Sequence, residues 1–114
     1  MKEIKDLIKD FSDATILQHQ YTLNADYKRG NIEARRIDNI FQKIKSQGGM
    51  EELLQLIYSD IPEIAVMAST YCMRYNPEKC LQVLEEISVK KLKYTSLGAE
   101  YAIKNWKSGN WHIG

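Results

Sequence analysis

The sequence predicts an all-α protein of about six helices, because apolar residues recur at helical spacing and strand signals are almost absent. Apolar side chains at positions i, i+3, i+4 and i+7 form one face of a helix, and Ile4, Leu7 and Phe11 begin such a pattern. No alternating apolar run is bounded by turn residues on both sides, as a strand would be. Two prolines, Pro62 and Pro77, stand where the first turn of a helix tolerates them.

The first two helices are expected on either side of an Arg-Gly-Asn turn. Apolar residues continue from Ile4 toward Tyr27, so we expect the first helix to end at Gly30, a residue type that favours the C-terminal cap. Asn31 is then expected to cap the second helix, which ends at the glycine pair 48–49.

A short third helix and a fourth helix are expected in the middle of the chain. Residues 50–57 have apolar side chains at helical spacing after the glycine pair. Asp60 is followed three residues later by Glu63, which fits a capping pair at a helix N-terminus. Pro62 suits the first turn of the same helix, so the fourth helix is expected to begin here.

The fifth and sixth helices are separated by a basic linker. Asn76 stands before a proline and is expected to cap the fifth helix. After the linker, residues 88–93, either Thr95 or Ser96 is expected to cap the sixth helix. Gly109 is the expected end of that helix.

Two parts of the chain look related to each other, which favours a stack of helix pairs over a plain bundle. Residues 53–57 align with residues 80–84, and residues 67–71 align with residues 97–101. A period near 30 residues that is built from helix pairs is typical of helical repeat proteins. The small residues expected at close helix contacts are Ala68 and Gly98, and the tyrosines expected in the core are Tyr71 and Tyr101.

The region from Ala25 to Gly109 resembles a family of short bacterial domains of unknown function with HEAT-like helical repeats. The segments that carry the resemblance are Gly30-Asn31 and residues 48–57, 64–69, 76–85 and 106–109. The resemblance implies a HEAT-like right-handed stack of helix pairs and brings no catalytic residue with it. The chain is also similar in size and style to immunity proteins that are encoded beside bacterial toxins, which bind the toxin domain and block it.

Composition and charge favour a single soluble domain without a nucleic-acid or membrane bias. The chain has 114 residues and a formal net charge of +1, which is too little for a dedicated nucleic-acid domain. We expect one domain over residues 1–114. No stretch approaches the roughly 20 apolar residues of a membrane span, and the N-terminal segment lacks the apolar core of a signal peptide. A cytoplasmic protein is therefore expected.

Catalytic and metal-binding patterns are missing from the sequence. There is no glycine-rich phosphate loop and no Gly-x-Ser-x-Gly element. Cys72 and Cys80 stand at apolar helical positions, so we expect buried thiols that pack in the core. His19 and His112 do not form a metal-ligand spacing with them. The sequence therefore predicts a non-enzymatic binding protein with no catalytic, cofactor or metal site.

The acidic middle of the chain favours a protein partner, most plausibly a toxin domain. Residues 51–86 carry seven acidic and two basic residues, and such a surface could mimic the phosphates that a toxin nuclease binds. A tryptophan in the tail could either fold back onto the chain or anchor a partner. The residues expected to contact the partner are Asp60, Glu63, Glu85, Glu86 and Trp111, with Glu78 as a further acidic candidate.

Basic clusters favour a second hypothesis, in which the chain binds nucleic acid through lysines, arginines and neighbouring tyrosines. The alternating acidic and basic blocks could instead pair with each other, which would leave no such surface. A third hypothesis is a structural adaptor or self-assembling subunit, which would expose an apolar patch. The residues of the nucleic-acid hypothesis are Lys28, Arg29, Arg35, Arg36, Lys90, Lys91 and Lys93.

Overall fold

Six α-helices and one 3-10 turn make up the described chain, residues 2–114 of a computed structural model. The helices are α1 (Ile4–Leu23), α2 (Tyr27–Ser46), α3 (Met50–Leu54), α4 (Pro62–Tyr71), α5 (Pro77–Ser88) and α6 (Thr95–Lys107), and the 3-10 turn spans Gln55–Tyr58 between α3 and α4. Residues 2–114 contain no strand. The predicted all-α class, with about six helices that pack in pairs along the chain, is confirmed.

The chain divides into two compact units by its internal packing. The N-terminal unit extends to Leu53, and the C-terminal unit is Leu54–Gly114, so the division falls within α3. The single domain predicted over residues 1–114 stays a prediction. Among residues 2–114, no helix has both the length and the hydropathy that a membrane crossing requires.

In the N-terminal unit, α1 packs against α2 through apolar residues at helical spacing. Both helices are 20 residues long. The threonine in the α1 contact, Thr15, is buried and its hydroxyl donates to the Phe11 carbonyl at 2.8 Å. The large apolar side chains of this core contribute roughly 1.5–3 kcal/mol each by burial, and alanine contributes less. The buried apolar residues are Leu7, Phe11 and Ala14 from α1, and Ile37, Ile40, Phe41 and Ile44 from α2.

The turn between α1 and α2 corrects the predicted cap at Gly30 and Asn31, because both residues lie inside α2. Helix α1 ends earlier, where the Asp26 N–H donates to the Tyr21 carbonyl and Ala25 takes the left-handed conformation with φ +56°. The Asp26 carboxylate then caps α2 by accepting from the Arg29 N–H at 3.2 Å. An aspartate cap and an alanine in the usual place of glycine therefore make the turn five residues before the expected one.

In the C-terminal unit, α4 contacts the 3-10 turn, α5 and α6, so it is apolar on most sides. Its N-cap is Ile61, and no side chain caps the helix, so the predicted Asp60–Glu63 capping pair is wrong. The Ser59 hydroxyl instead accepts from the Ile61 N–H at 3.1 Å, and Pro62 occupies the first turn as predicted. Helix α5 has the predicted cap, since the Asn76 side chain accepts from the Lys79 N–H at 3.2 Å.

The connection from α5 to α6 is held by a buried serine. The Ser96 hydroxyl donates to the Ile87 carbonyl at 2.8 Å and accepts from the Leu92 N–H at 2.9 Å. The residue before α6 is Tyr94, with φ +62° and ψ −40°, so neither Thr95 nor Ser96 is the cap. The Thr95 N–H donates to the Lys93 carbonyl at 2.7 Å, which makes Tyr94 the centre of a strained γ-turn.

Candidate protein-binding cleft

A cleft of about 420 Å³ opens in the C-terminal unit between the 3-10 turn, α4 and α5. Its apolar floor comes from the largely buried side chains of Ile57, Ala65 and Ile87. Clefts of this size are in the range that holds a large side chain or a small molecule. The polar residues that line it are Tyr58, Ser59, Gln82, Glu86 and Lys90.

Tyr58 is the aromatic residue of this cleft, and its side chain is 59% exposed. Its position follows from the backbone, because α3 tightens into the 3-10 turn and then stops at Ser59, where ψ is 143°. The preceding residue, Ile57, is 1% exposed and anchors the turn in the core. Tyrosines that combine apolar area with a hydroxyl are favoured anchors in protein interfaces.

Glu86 and Lys90 bring opposite charges to the same cleft. They stand four positions apart around the end of α5, and Gln82 lies four positions before Glu86. This spacing places Gln82 and Glu86 on one side of the helix, and Lys90, just beyond the helix end, lines the same cleft. Neither Glu86 nor Lys90 forms an ion pair among residues 2–114, so both charges remain available to a partner.

Glu86 is the one predicted acidic residue that lines the cleft. Asp60 is exposed just after Ser59, and Glu63 is half-buried in the first turn of α4. Glu85 is exposed but lies about 100° around the helix from Glu86. None of the side-chain carboxylates within residues 54–114 forms an ion pair with a lysine or arginine. The acidic block of this unit is therefore not neutralised by the basic block that follows it.

Trp111 packs on the chain's own helix α6. Its ring meets Trp106 edge to face, with 5.7 Å between the centroids and 83° between the planes. Its carbonyl accepts a hydrogen bond from Arg74 at 2.8 Å. The indole N–H of Trp111 is buried and has no hydrogen-bond partner among residues 2–114. The tail therefore folds back, which was the first of the two outcomes expected for it.

The two basic clusters lie in different units. Lys28, Arg29, Arg35 and Arg36 are exposed on α2, and Arg36 pairs with Glu33 at 2.9 Å. Arg29 pairs with the capping residue of α2. Lys28 and Arg35 form no ion pair among residues 2–114. The other cluster, Lys90, Lys91 and Lys93, is exposed in the C-terminal unit.

Arg35 and Arg36 also line a second cleft, of about 350 Å³, between α1 and α2. Ile32, which is 49% exposed, gives it an apolar wall. Asp10 lines it too, and a hydrogen bond from the Lys2 ammonium lowers the pKa of Asp10. Because Asp10 is already paired, the excess charge of this second cleft is basic.

Both cysteines are buried and unbonded to each other, as the sequence predicts. Burial raises the pKa of the Cys80 thiol to about 11, so it is neutral near pH 7 and packs as a small apolar group. His19 is half-buried and His112 is exposed. Among residues 2–114, no group of three or more histidine, cysteine, aspartate or glutamate residues is placed to hold a metal ion.

Sequence reasoning did not single out Tyr58 and Gln82. Tyr58 is the last residue of an apolar run before Ser-Asp-Ile-Pro, and that turn signal could have marked it as exposed. Gln82 precedes Glu86 by one helical turn, so an i, i+4 search from each acidic residue would have found it.

No protein-family model matches this chain, and the search among curated proteins found no match. The crystal structure of the protein RPA1889 from Rhodopseudomonas palustris CGA009 is similar, with a TM-score of 0.90 and 19% sequence identity. The match covers 100% of this chain and 96% of that chain. At this identity the likeness supports the all-α fold and carries no function across.

Proposed function

We propose that the protein is a non-enzymatic binding protein of the bacterial cytoplasm and that the Tyr58–Glu86 cleft receives a basic protein partner. The observation that carries the proposal is an exposed tyrosine in a cleft beside a glutamate that forms no ion pair among residues 2–114, and the other side-chain carboxylates of residues 54–114 form none either. The sequence resemblance to immunity proteins supports a toxin domain as the partner. The protein would block that domain by covering its active surface, with no turnover.

Tyr58 and Glu86 would contribute in different ways. Truncating a well-packed interface tyrosine commonly weakens binding by about 2 kcal/mol or more, which is about 30-fold in affinity. An exposed glutamate acts mainly on the rate of association and on partner choice, and salt weakens its effect. The cleft's apolar floor gives a partner side chain a place to bury, so Tyr58 is expected to dominate the affinity.

Nucleic-acid binding is the second candidate function. It is favoured by the unpaired lysines at positions 90, 91 and 93 and by Tyr94, whose ring lies 5.4 Å from the Lys93 ammonium. Binding of this kind weakens steeply with salt, because each phosphate contact releases a counterion. The formal net charge of +1 argues against it as the main function.

Co-expression with the product of the adjacent gene tests the proposal. Tagged protein is purified in moderate salt, once with nuclease and once without it, and the stoichiometry of any complex is measured. We expect a stoichiometric complex with the wild type and a loss of about 30-fold in affinity with Tyr58→Ala. Tyr27→Ala is the matched control, because Tyr27 is 61% exposed and lies in the other unit.

Recovery of nuclease-sensitive nucleic acid alone would overturn the proposal in favour of the basic clusters. Equal losses for Tyr58→Ala and Tyr27→Ala would also contradict it, since the cleft would then have no special role. Weaker binding of Glu86→Gln than of the wild type at low salt, with a difference that shrinks at high salt because the wild type itself then binds less tightly, would support the electrostatic part.

A further inference from the structure

The outward face of α6 carries an apolar ridge that no other part of the described chain covers. Leu97 is 50% exposed and Tyr101 is 57% exposed, and their i, i+4 spacing places them side by side. Tyr94, 42% exposed, extends the ridge just before the helix. The opposite face of α6 is buried through Thr95, Ser96, Ala99 and Ala102. Helix α6 therefore has apolar side chains on two faces, and only one of these faces packs against the rest of the described chain.

The exposed face of α6 also corrects two predictions from the sequence. Tyr101 is not in the core, and Gly98 makes no close helix contact.

Gly98 lies in this exposed face, and neither close packing nor the backbone conformation within the described chain requires a glycine there. A Cβ atom built there would meet no heavy atom within 4 Å, and its φ is not in the left-handed region. Glycine in the interior of a helix costs about 1 kcal/mol relative to alanine. The chain carries this penalty beside Leu97, at a point where a flat surface would let a second helix approach closely.

Lysines surround the ridge. Lys104 follows Tyr101 by three positions on the same face, and the exposed Glu100, three positions after Leu97, is the one acidic residue of α6. The lysines near the ridge are exposed and form no ion pair among residues 2–114. They are Lys93, whose ammonium lies 5.4 Å from the Tyr94 ring, and Lys104 and Lys107 of α6. This rim matches a partner whose charge is negative.

Two other occupants fit the ridge less well. A second copy of the chain, related by a two-fold axis, would bring these lysines against their own counterparts. A nucleic acid would find phosphate contacts and could stack on Tyr94 and Tyr101, but it would leave the exposed aliphatic side chain of Leu97, which offers neither a stacking platform nor a hydrogen-bond donor, without a matching group. An acidic amphipathic helix of a protein fits all three features of this surface. Its apolar side chains would cover Leu97 and Tyr101, its backbone could approach closely at Gly98, and its carboxylates would face the lysines.

We propose that the outward face of α6 docks an acidic amphipathic helix of a protein partner, at a site separate from the Tyr58–Glu86 cleft. The partner helix would lay small and apolar residues along Leu97, Gly98 and Tyr101, with its carboxylates toward the lysine rim. The hydrogen bonds of the Ser96 hydroxyl hold the preceding connection in place, so the surface is formed before binding.

A peptide titration of the full-length protein tests this proposal. The probe is a synthetic helix-forming peptide of about 15 residues, with an alanine and leucine stripe flanked by glutamates. Amide chemical shifts of the isotope-labelled protein are followed during the titration. We expect shifts centred on residues 94–104 and a dissociation constant that rises with salt. A charge-reversed peptide with lysines in place of glutamates is expected not to bind.

Variants separate docking from folding. Tyr101→Ala is expected to weaken peptide binding about tenfold or more. Gly98→Ala is expected to raise the melting temperature and weaken binding, which a purely structural role would not produce. Tyr58→Ala is the control, and its affinity for the peptide should stay unchanged because it lies in the separate cleft.

Absence of binding, or equal binding of the charge-reversed peptide, would overturn the proposal. Shifts of the same residues on titration with a thymidine oligonucleotide, without shifts from the acidic peptide, would assign the face to nucleic acid instead. Concentration-dependent shifts without any peptide would assign it to self-association. Each of these results leaves the separate proposal for the cleft standing.

Discussion

In the N-terminal unit, charged side chains pair along the helices, whereas in the C-terminal unit the side-chain carboxylates stand apart from the lysines. Lys9 pairs with Asp13, and Arg36 pairs with Glu33, each within one helical turn. No carboxylate side chain of residues 54–114 has such a partner. Exposed ion pairs contribute little stability, so the contrast concerns availability for partners more than folding.

Exposed apolar side chains show the same contrast. Among residues 2–114, three large apolar side chains are exposed before residue 54 and seven after it. Helix pairing therefore dominates the N-terminal unit, whereas the C-terminal unit keeps charge and apolar area at its surface.

The largest expected effect on stability comes from a pair of glycine substitutions, one in each unit. At Gly49 a Cβ would lie 3.0 Å from Ile4 Cγ2 and 3.1 Å from Ile44 Cγ2, and these branched side chains cannot swing away. We expect Gly49→Ala to lower the free energy of unfolding by about 1–3 kcal/mol. Gly98→Ala is expected to raise it by about 0.4–1 kcal/mol. Urea denaturation measures the free energy of unfolding of both variants. A change of the same sign in the two variants would contradict the contrast between these two glycines.

A somewhat smaller effect is expected at Ser96, which is 6% exposed. Ser96→Ala would leave the Leu92 N–H without its partner and remove the hydrogen bond to the Ile87 carbonyl. The free energy of unfolding should fall by about 1–2 kcal/mol. Ser108→Ala is the control, because the Ser108 hydroxyl bonds to the Asn105 carbonyl at an exposed site. A loss no larger than that of the control would mean that the buried serine does not hold the connection.

An effect confined to high pH is expected at the buried thiol of Cys80 in the C-terminal unit. The pKa of Cys80 is about 11 in the folded chain and 9.0 without burial. Burial of the neutral thiol therefore contributes stability below pH 9 that is lost as the pH rises through 11. We expect the difference in melting temperature between the wild type and Cys80→Ala to shrink over this range. A constant difference would contradict this, because it would mean that the thiol has the same pKa in the folded and the unfolded chain.

The sequence predicts the end of a helix correctly where the residue type at that position has a single local role, such as capping the helix or ending it. Asn76 caps α5, Pro62 opens α4, and Gly48 and Gly109 end α2 and α6 with φ of +73° and +81°. Proline fixes φ, glycine tolerates positive φ, and a short amide side chain reaches the backbone N–H groups. These signals depend on the local chain alone.

The predictions from the sequence are wrong where tertiary packing or an unusual backbone conformation determines the structure. Ala25 and Tyr94 take conformations that favour glycine, so no composition signal marks those two turns. Tyr71 is 9% exposed and Tyr101 is 57% exposed, although they occupy aligned positions in the sequence. Apolar spacing predicts that a helix has an apolar face, but the neighbouring helices decide which face is covered.

The candidate cleft was predictable in part. Glu86 was expected from the acidic block, whereas Tyr58 joins it because the 3-10 turn brings residue 58 beside α5. Glu85, its neighbour in sequence, is directed away by the 100° rotation per residue of an α-helix. A list of charges in the sequence therefore cannot separate the residues that share a cleft from those that do not.

We propose that the C-terminal unit provides the binding surface and that the N-terminal unit does not. Hydrogen–deuterium exchange of the purified complex tests it most directly, with the protein alone as the reference. We expect slower exchange in the complex at residues 56–60 and 82–90, and unchanged exchange along α2. Protection confined to residues 27–43, where the basic residues of α2 lie, would contradict the claim.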